Sequence, residues 1–193
     1  MKSLDSFYGL LMGDVFGCPY PVADTALRMA AREFCEGSRA IREQSIARAN
    51  GTRSTFEFDL PEQQELVRIC TAKVGDYEVV VNGYTDLDSN GVTLVDQQTF
   101  TIRPTPETNT TITIMIATKP TITATQVADD LVNRFIDQVV TGAKARLFMQ
   151  NGTKWSNHAL GAIAKTEFQR SICAAANEAA MQRLPLRTEK STI

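Results

Sequence analysis

The sequence predicts an α+β fold: a three-helix body, made of one N-terminal helix and a C-terminal helical hairpin, with an inserted antiparallel β subdomain. Three observations predict it. Residues 123–184 carry two apolar stripes at helical spacing, separated by a glycine-containing turn. Residues 22–34 carry another such stripe. Between them, residues 41–118 are rich in Thr, Val and Ile, alternate in part, and are punctuated by Asn-Gly, Gly-Asp and Pro-rich turns. The resulting division, all within a single domain, is an arm and helix over 1–40, the β subdomain over 41–119, the hairpin over 120–184 and a tail over 185–193.

Residues 1–20 form a short arm in which Phe7, Tyr8, Leu10, Leu11 and Phe16 are too apolar for a free tail and are expected to pack on the body. Pro21 suits the first turn of a helix. Val22, Ala26, Leu27, Ala30, Phe34 and, further on, Ile41 then follow at helical spacing. Arg32 and Glu36 are spaced for an i,i+4 pair, and Gly37-Ser38 loosens the end.

The β subdomain reads as three strand pairs. Ile41–Arg48 and Arg53–Leu60 are joined by Ala49-Asn50-Gly51-Thr52, a short hairpin signal. Leu66–Val74 and Tyr77–Val81 turn about Gly75-Asp76. Val92–Arg103 and Thr110–Thr118 are joined by the segment from Pro104 to Asn109. In the last strand Ile112, Ile114 and Ile116 share one face, so that face is dry.

Thr123 and Gln126 fit a capping box for the hairpin's first helix, whose stripe is Val127, Leu131, Phe135, Val139, Ala143 and Leu147. Gly142 within it points to close helix–helix approach, and Gly152 suits a left-handed turn. Ser156 is placed to cap the second helix, with the stripe Leu160, Ile163, Ala164, Phe168, Ile172, Ala176 and Ala179. Pro185 stops that helix.

The net charge is −2, but unevenly spread: residues 51–122 carry five basic and ten acidic groups, residues 123–193 nine and six. No part is basic enough for a dedicated nucleic-acid binder. Cys18, Cys35, Cys70 and Cys173 are far apart, with no C-x-x-C pair, so all are read as reduced, Cys35 and Cys173 as buried. No apolar run is long enough for a membrane span, and Asp5 interrupts any signal-peptide reading of the first residues.

No catalytic constellation stands out. His158 is the only histidine, and no nucleophile motif accompanies it. Asp86, Asp88 and Asn90, followed by Gly91, reproduce the first half of a calcium loop, but Gln97 stands where a bidentate glutamate belongs, so no specific calcium site is expected. The same residues favour any tight turn. No cofactor is expected, and no enzyme activity.

Cys18-Pro19, Ala26-Leu27-Arg28, and the run from Ala30 to Glu36 resemble the opening of tailed-phage head–tail adaptor (connector) proteins. The resemblance continues at Lys119-Pro120, in Gly142 to Leu147, and at Gly152, Trp155 and Phe168, so it covers nearly the whole chain. It implies a structural virion protein: a dodecameric ring at the head–tail neck, below the portal protein, that continues the DNA channel. The implied partners are portal, neighbouring copies, and tail or nozzle proteins, with fibres a further candidate. Genomic DNA would pass non-specifically, with weak salt-sensitive association at most. Assembly in the host cytoplasm follows, with no membrane partner. The resemblance also implies that the C-terminal part reaches toward the portal, which makes Leu184, Leu186 and Ile193 apolar anchors, and Arg187 and Lys190 charged contacts, of a portal or subunit interface. Another ring-forming neck or tail-completion protein is the nearest alternative; a calcium-dependent binding module is the alternative of a different class.

Overall fold

The computed structural model describes residues 1–82 and 90–181. In chain order the elements are β1 (Lys2–Ser3), α1 (Asp5–Leu11), α2 (Tyr20–Ser38), β2 (Arg42–Arg48), β3 (Thr55–Glu57), β4 (Gln64–Val74) and β5 (Tyr77–Val79). Then follow β6 (Val81–Asn82), β7 (Gly91–Leu94), β8 (Thr99–Arg103), β9 (Thr111–Pro120), β10 (Gln126–Val127), α3 (Asp129–Phe148) and α4 (His158–Met181). The α+β class is as the sequence predicts, with helices flanking a strand-rich middle.

Two apolar cores form. In the helical one, Phe7, Leu11, Leu27, Phe34, Leu131 and Leu147 are fully buried. The α3 stripe Leu131, Phe135, Val139, Ala143 and Leu147 is buried throughout, while Val127, expected to open it, is buried in β10 before the helix begins. Phe34 of α2 meets the ring of Phe135 at 4.9 Å and that of Phe168 at 6.4 Å, so three helices converge on it. Gly142 is what lets α4 come close: a Cβ there would stand 2.6 Å from the Phe168 ring. Tyr8 of α1 donates to Asp24 Oδ1 of α2 at 3.0 Å; burial, then that bond, pushes the phenol up to about 12.

In the β core, Ile112, Ile114 and Ile116 of β9 form the expected dry face. One sheet has the order β2-β9-β4-β5, the other β3-β8-β7-β6. All pairs are antiparallel except β6–β7. The β4–β5 hairpin turns at Gly75-Asp76 with Val74 opposite Tyr77, as expected. Arg32 holds the two parts together: its guanidinium donates to both carboxylate oxygens of Glu65, at 3.1 and 3.0 Å, and to the Pro120 carbonyl.

Two of the three expected strand pairs do not form. β2 and β3 join different sheets, so Asn50-Gly51 makes a crossover and no hairpin. Asn50 Oδ1 accepts the amides of Thr52 and Arg53, and Gly51 packs against Thr108, so this turn answers to its own side chain and to a neighbouring loop. The run 92–103 is interrupted: Asp96 Oδ1 accepts the amides of Gln98 and Thr99, and β7 folds back on β8. β9 pairs instead with β2 and β4, which cover its two edges.

Local corrections follow the same logic. Thr123 and Gln126 form no capping box; Gln63 Oε1 takes the Thr125 and Gln126 amides, and Gln126 sits in β10, paired with β1. Asn157, one residue beyond Ser156, caps α4 by accepting the Leu160 amide at 3.1 Å. α3 ends at Phe148, and Gly152 takes its left-handed conformation in the turn beyond. Arg32 turns to Glu65 and Glu36 to Lys119, so the expected i,i+4 pair is absent. Ile41 is buried but outside the helix. In the arm Phe7 and Leu11 pack as expected, whereas Leu10 and Phe16 are exposed. Cys35 is buried and Cys173 is exposed.

Candidate assembly surfaces

His158, the first residue of α4, is exposed on the helix surface. Burial raises the Cys18 thiol above its usual range and pushes Cys35 up to about 12, so both stay protonated and act as small apolar groups. A cleft of about 430 Å³ lies beside α2 and between the two sheets, where Arg39, Arg68 and Glu36 meet the side chains of Val67, Ile69 and Leu94; it holds neither histidine nor cysteine. Among the described residues no three His, Cys, Asp or Glu side chains cluster to hold a metal. Of the calcium-like loop, Asn90 is exposed, while Asp86 and Asp88 lie outside the described residues. The candidate interface residues Leu184, Leu186, Arg187, Lys190 and Ile193 lie outside them too.

What the described residues do offer is surface. α4 is a helix of 24 residues that buries only Gly161, Ala164, Phe168, Ile172, Ala175 and Ala179. These recur at spacings of three and four, one narrow line against α2 and α3. The sequence reading placed Leu160 and Ile163 on that line. They stand about 80° and 140° from Phe168 at 100° per residue, and they are 48% and 56% exposed. Met181 lies on the same flank and is 69% exposed. On this flank the monomer leaves apolar groups open at both ends of the helix, Leu160 and Ile163 beside Phe148 and Asp14 at the start and Met181 at the end, with Glu167, Arg170 and Glu178 between them. Around the outward side from this flank, Arg170 and Ala174 adjoin Cys173, with Lys165 further round.

The cations nearby are mostly compensated. Arg134 pairs with Glu178, Lys144 with Asp14 and Arg146 with Glu33. Lys165 and Arg170 form no ion pair among the described residues. At the far edge of the first sheet, the tip of the β4–β5 hairpin presents Asp76, Tyr77 and Glu78, with Tyr77 80% exposed.

What the described residues present is unburied helix and sheet edge. A family model described as SU10 adaptor protein matches residues 9–189. The chain belongs to the SU10 adaptor protein family. No curated protein matches it. Membership of the SU10 adaptor family makes the chain a phage structural adaptor, with partners among phage head and tail proteins and a place in the virion neck. This is a structural family and is not known for enzyme activity. None of the described helices is long and apolar enough to cross a membrane. The sequence alone missed the open flank of α4 and the exposed hairpin tip. Helical geometry carried a signal for the first, because Leu160 and Ile163 fall away from the Phe168 line once angles are counted.

Proposed function

We propose that copies of this chain form a ring that joins the capsid portal to the tail and continues the DNA channel, with the helices as the oligomerising body. The observation that carries this reading is the set of large apolar side chains that α4 leaves exposed, Leu160, Ile163 and Met181, on a helix whose inner line alone is buried. A long helix left half-covered in one chain is stabilised by a neighbour, and roughly 25 cal/mol per Å² of apolar area removed from water supplies the drive. Twelve copies match the portal. The helices α1 to α4 serve as body, the β subdomain 41–119 reaches to neighbouring copies and other partners, and DNA passes without sequence-specific contact.

Electron microscopy and native mass spectrometry of the purified protein, alone and mixed with portal, test it. Closed rings of uniform copy number are expected in at least one condition. Compact monomers in both conditions would end the ring reading.

The tail carries a second expectation. Pro185–Ile193 has too little apolar area to fold alone, so its contribution comes only on contact with a partner. Leu184, Leu186 and Ile193 serve as apolar anchors, with Arg187 and Lys190 facing acidic groups on the portal or a neighbouring copy. Deleting Pro185–Ile193 is expected to leave the monomer's melting temperature unchanged and to weaken ring formation or portal attachment. Full affinity for portal in the truncated protein would exclude the arm.

A further inference from the structure

We infer that the tip of the β4–β5 hairpin of one copy docks on the outward face of α4 of the next, Tyr77 seated beside Cys173 with Arg170 and Lys165 following along the same face. The inference rests on the ring reading above and names the contact that closes it. Three observations on the chain support it.

The first is charge. Asp76 and Glu78 flank Tyr77 and are exposed, and neither has an ion-pair partner among the described residues. Lys73 stands opposite Glu78 across the hairpin without bonding to it. On α4, Lys165 and Arg170 are likewise exposed and unpaired. Two acids around an aromatic ring face two bases around an apolar floor. The pairing matches the wider imbalance of the chain, in which residues 51–122 are net acidic and residues 123–193 net basic. Complementary charge of this kind steers encounter and fixes register.

The second is the anchor. Tyr77 is 80% exposed beside a tight turn, and a tyrosine has only two side-chain torsions to fix on docking. Tyrosine and arginine are the residue types that dominate binding energy when seated at the centre of an interface. The floor it meets is smooth: Cys173 and Ala174 are small, and every residue lining this shallow site comes from α4, so nothing on another element of the described chain blocks approach.

The third is placement. β5 is one edge of the four-stranded sheet and β2 the other. α4 lies toward the β2 edge, where Arg42 donates to the Ala179 carbonyl. The edge strand β5 is therefore three strand steps, about 14 Å at about 4.8 Å each, from the strand that the C-terminal end of α4 touches. A knob and a socket on opposite flanks cannot satisfy one another within one copy. They make a head-to-tail contact, which generates a ring when the rotation closes.

Cys173 makes the test direct, because Cys18, Cys35 and Cys70 are buried. Tyr77→Cys should leave the monomer's melting temperature unchanged, and mild oxidation of its assemblies should give a ladder of covalent oligomers. Tyr77→Cys with Cys173→Ala should give none. Asp76→Lys with Glu78→Lys should weaken wild-type assembly at least about tenfold, and adding Lys165→Glu with Arg170→Glu should restore it to within about threefold. Rings that show neither ladder nor sensitivity to charge reversal overturn this contact and leave the ring reading standing. Absence of rings from the wild-type protein, alone and with portal, overturns both.

Discussion

Phe34→Ala is expected to destabilise the protein by about 3–5 kcal/mol. The side chain is fully buried on the inner face of α2. Its ring lies 4.9 Å from that of Phe135 on α3 and 6.4 Å from that of Phe168 on α4. Truncation therefore removes contacts to two helices at once and opens a void walled by two large aromatic groups. Such walls collapse poorly, because each ring is held by further packing: Phe135 is 6% and Phe168 3% exposed. The transfer cost and the cavity cost then add, which places the site in the upper part of the large-to-small range. Urea unfolding followed by circular dichroism measures it. A loss below about 1 kcal/mol would contradict the three-helix convergence, since that size belongs to surface substitutions.

The legible parts of the chain were those in which one periodicity dominates. Leu131, Phe135, Val139, Ala143 and Leu147 fall on one line of α3 and are all buried, and only Val127 at its start belongs to a strand instead. Ile112, Ile114 and Ile116 alternate with Thr111, Thr113 and Met115, and that face is dry. Gly75-Asp76 gave its hairpin because strands of matching register lie on both sides. Asn50-Gly51 carries an equally good turn signal and gave none. The competing influence is non-local: β9 is a long strand whose two edges must both be paired, and β2 and β4 take them. Nothing within residues 41–60 states that demand. Asp96 was overlooked for the opposite reason, an excess of local chemistry, because one carboxylate capturing two amides cuts a strand that composition alone would continue.

The surface was less legible than the core. An alanine-rich helix such as α4 offers several lines of modest apolarity, and which one is buried depends on what packs there. Phe168 decides it here by fitting over Gly142. Leu160 and Ile163 are then carried to the outside. The hairpin tip gave no periodic signal, since Asp76, Tyr77 and Glu78 gain meaning only from an exposed edge and an opposite basic face.

Gly142→Ala tests that fit by setting two known effects against each other. Alanine inside a helix is favoured over glycine by about 1 kcal/mol. Were the position free, the variant would be more stable. A Cβ at Gly142 would stand 2.6, 2.7 and 2.9 Å from three atoms of the Phe168 ring, and real Cβ atoms do not approach so near. The ring must move by more than half an ångström, on the order of the shifts that cost about 1–3 kcal/mol in packed cores. It has little room, since it is 3% exposed and leans toward Phe34. Strain in the upper part of that range outweighs the helical gain, and a net loss of about 1–2 kcal/mol is expected. A double-mutant cycle separates this from a general defect of α3. Phe168→Leu shortens the obstructing group, so in that background Gly142→Ala should be close to neutral or stabilising, with a coupling of at least about 1 kcal/mol. An additive cycle, or a Gly142→Ala variant more stable than the parent, would show that α3 and α4 do not approach through this glycine.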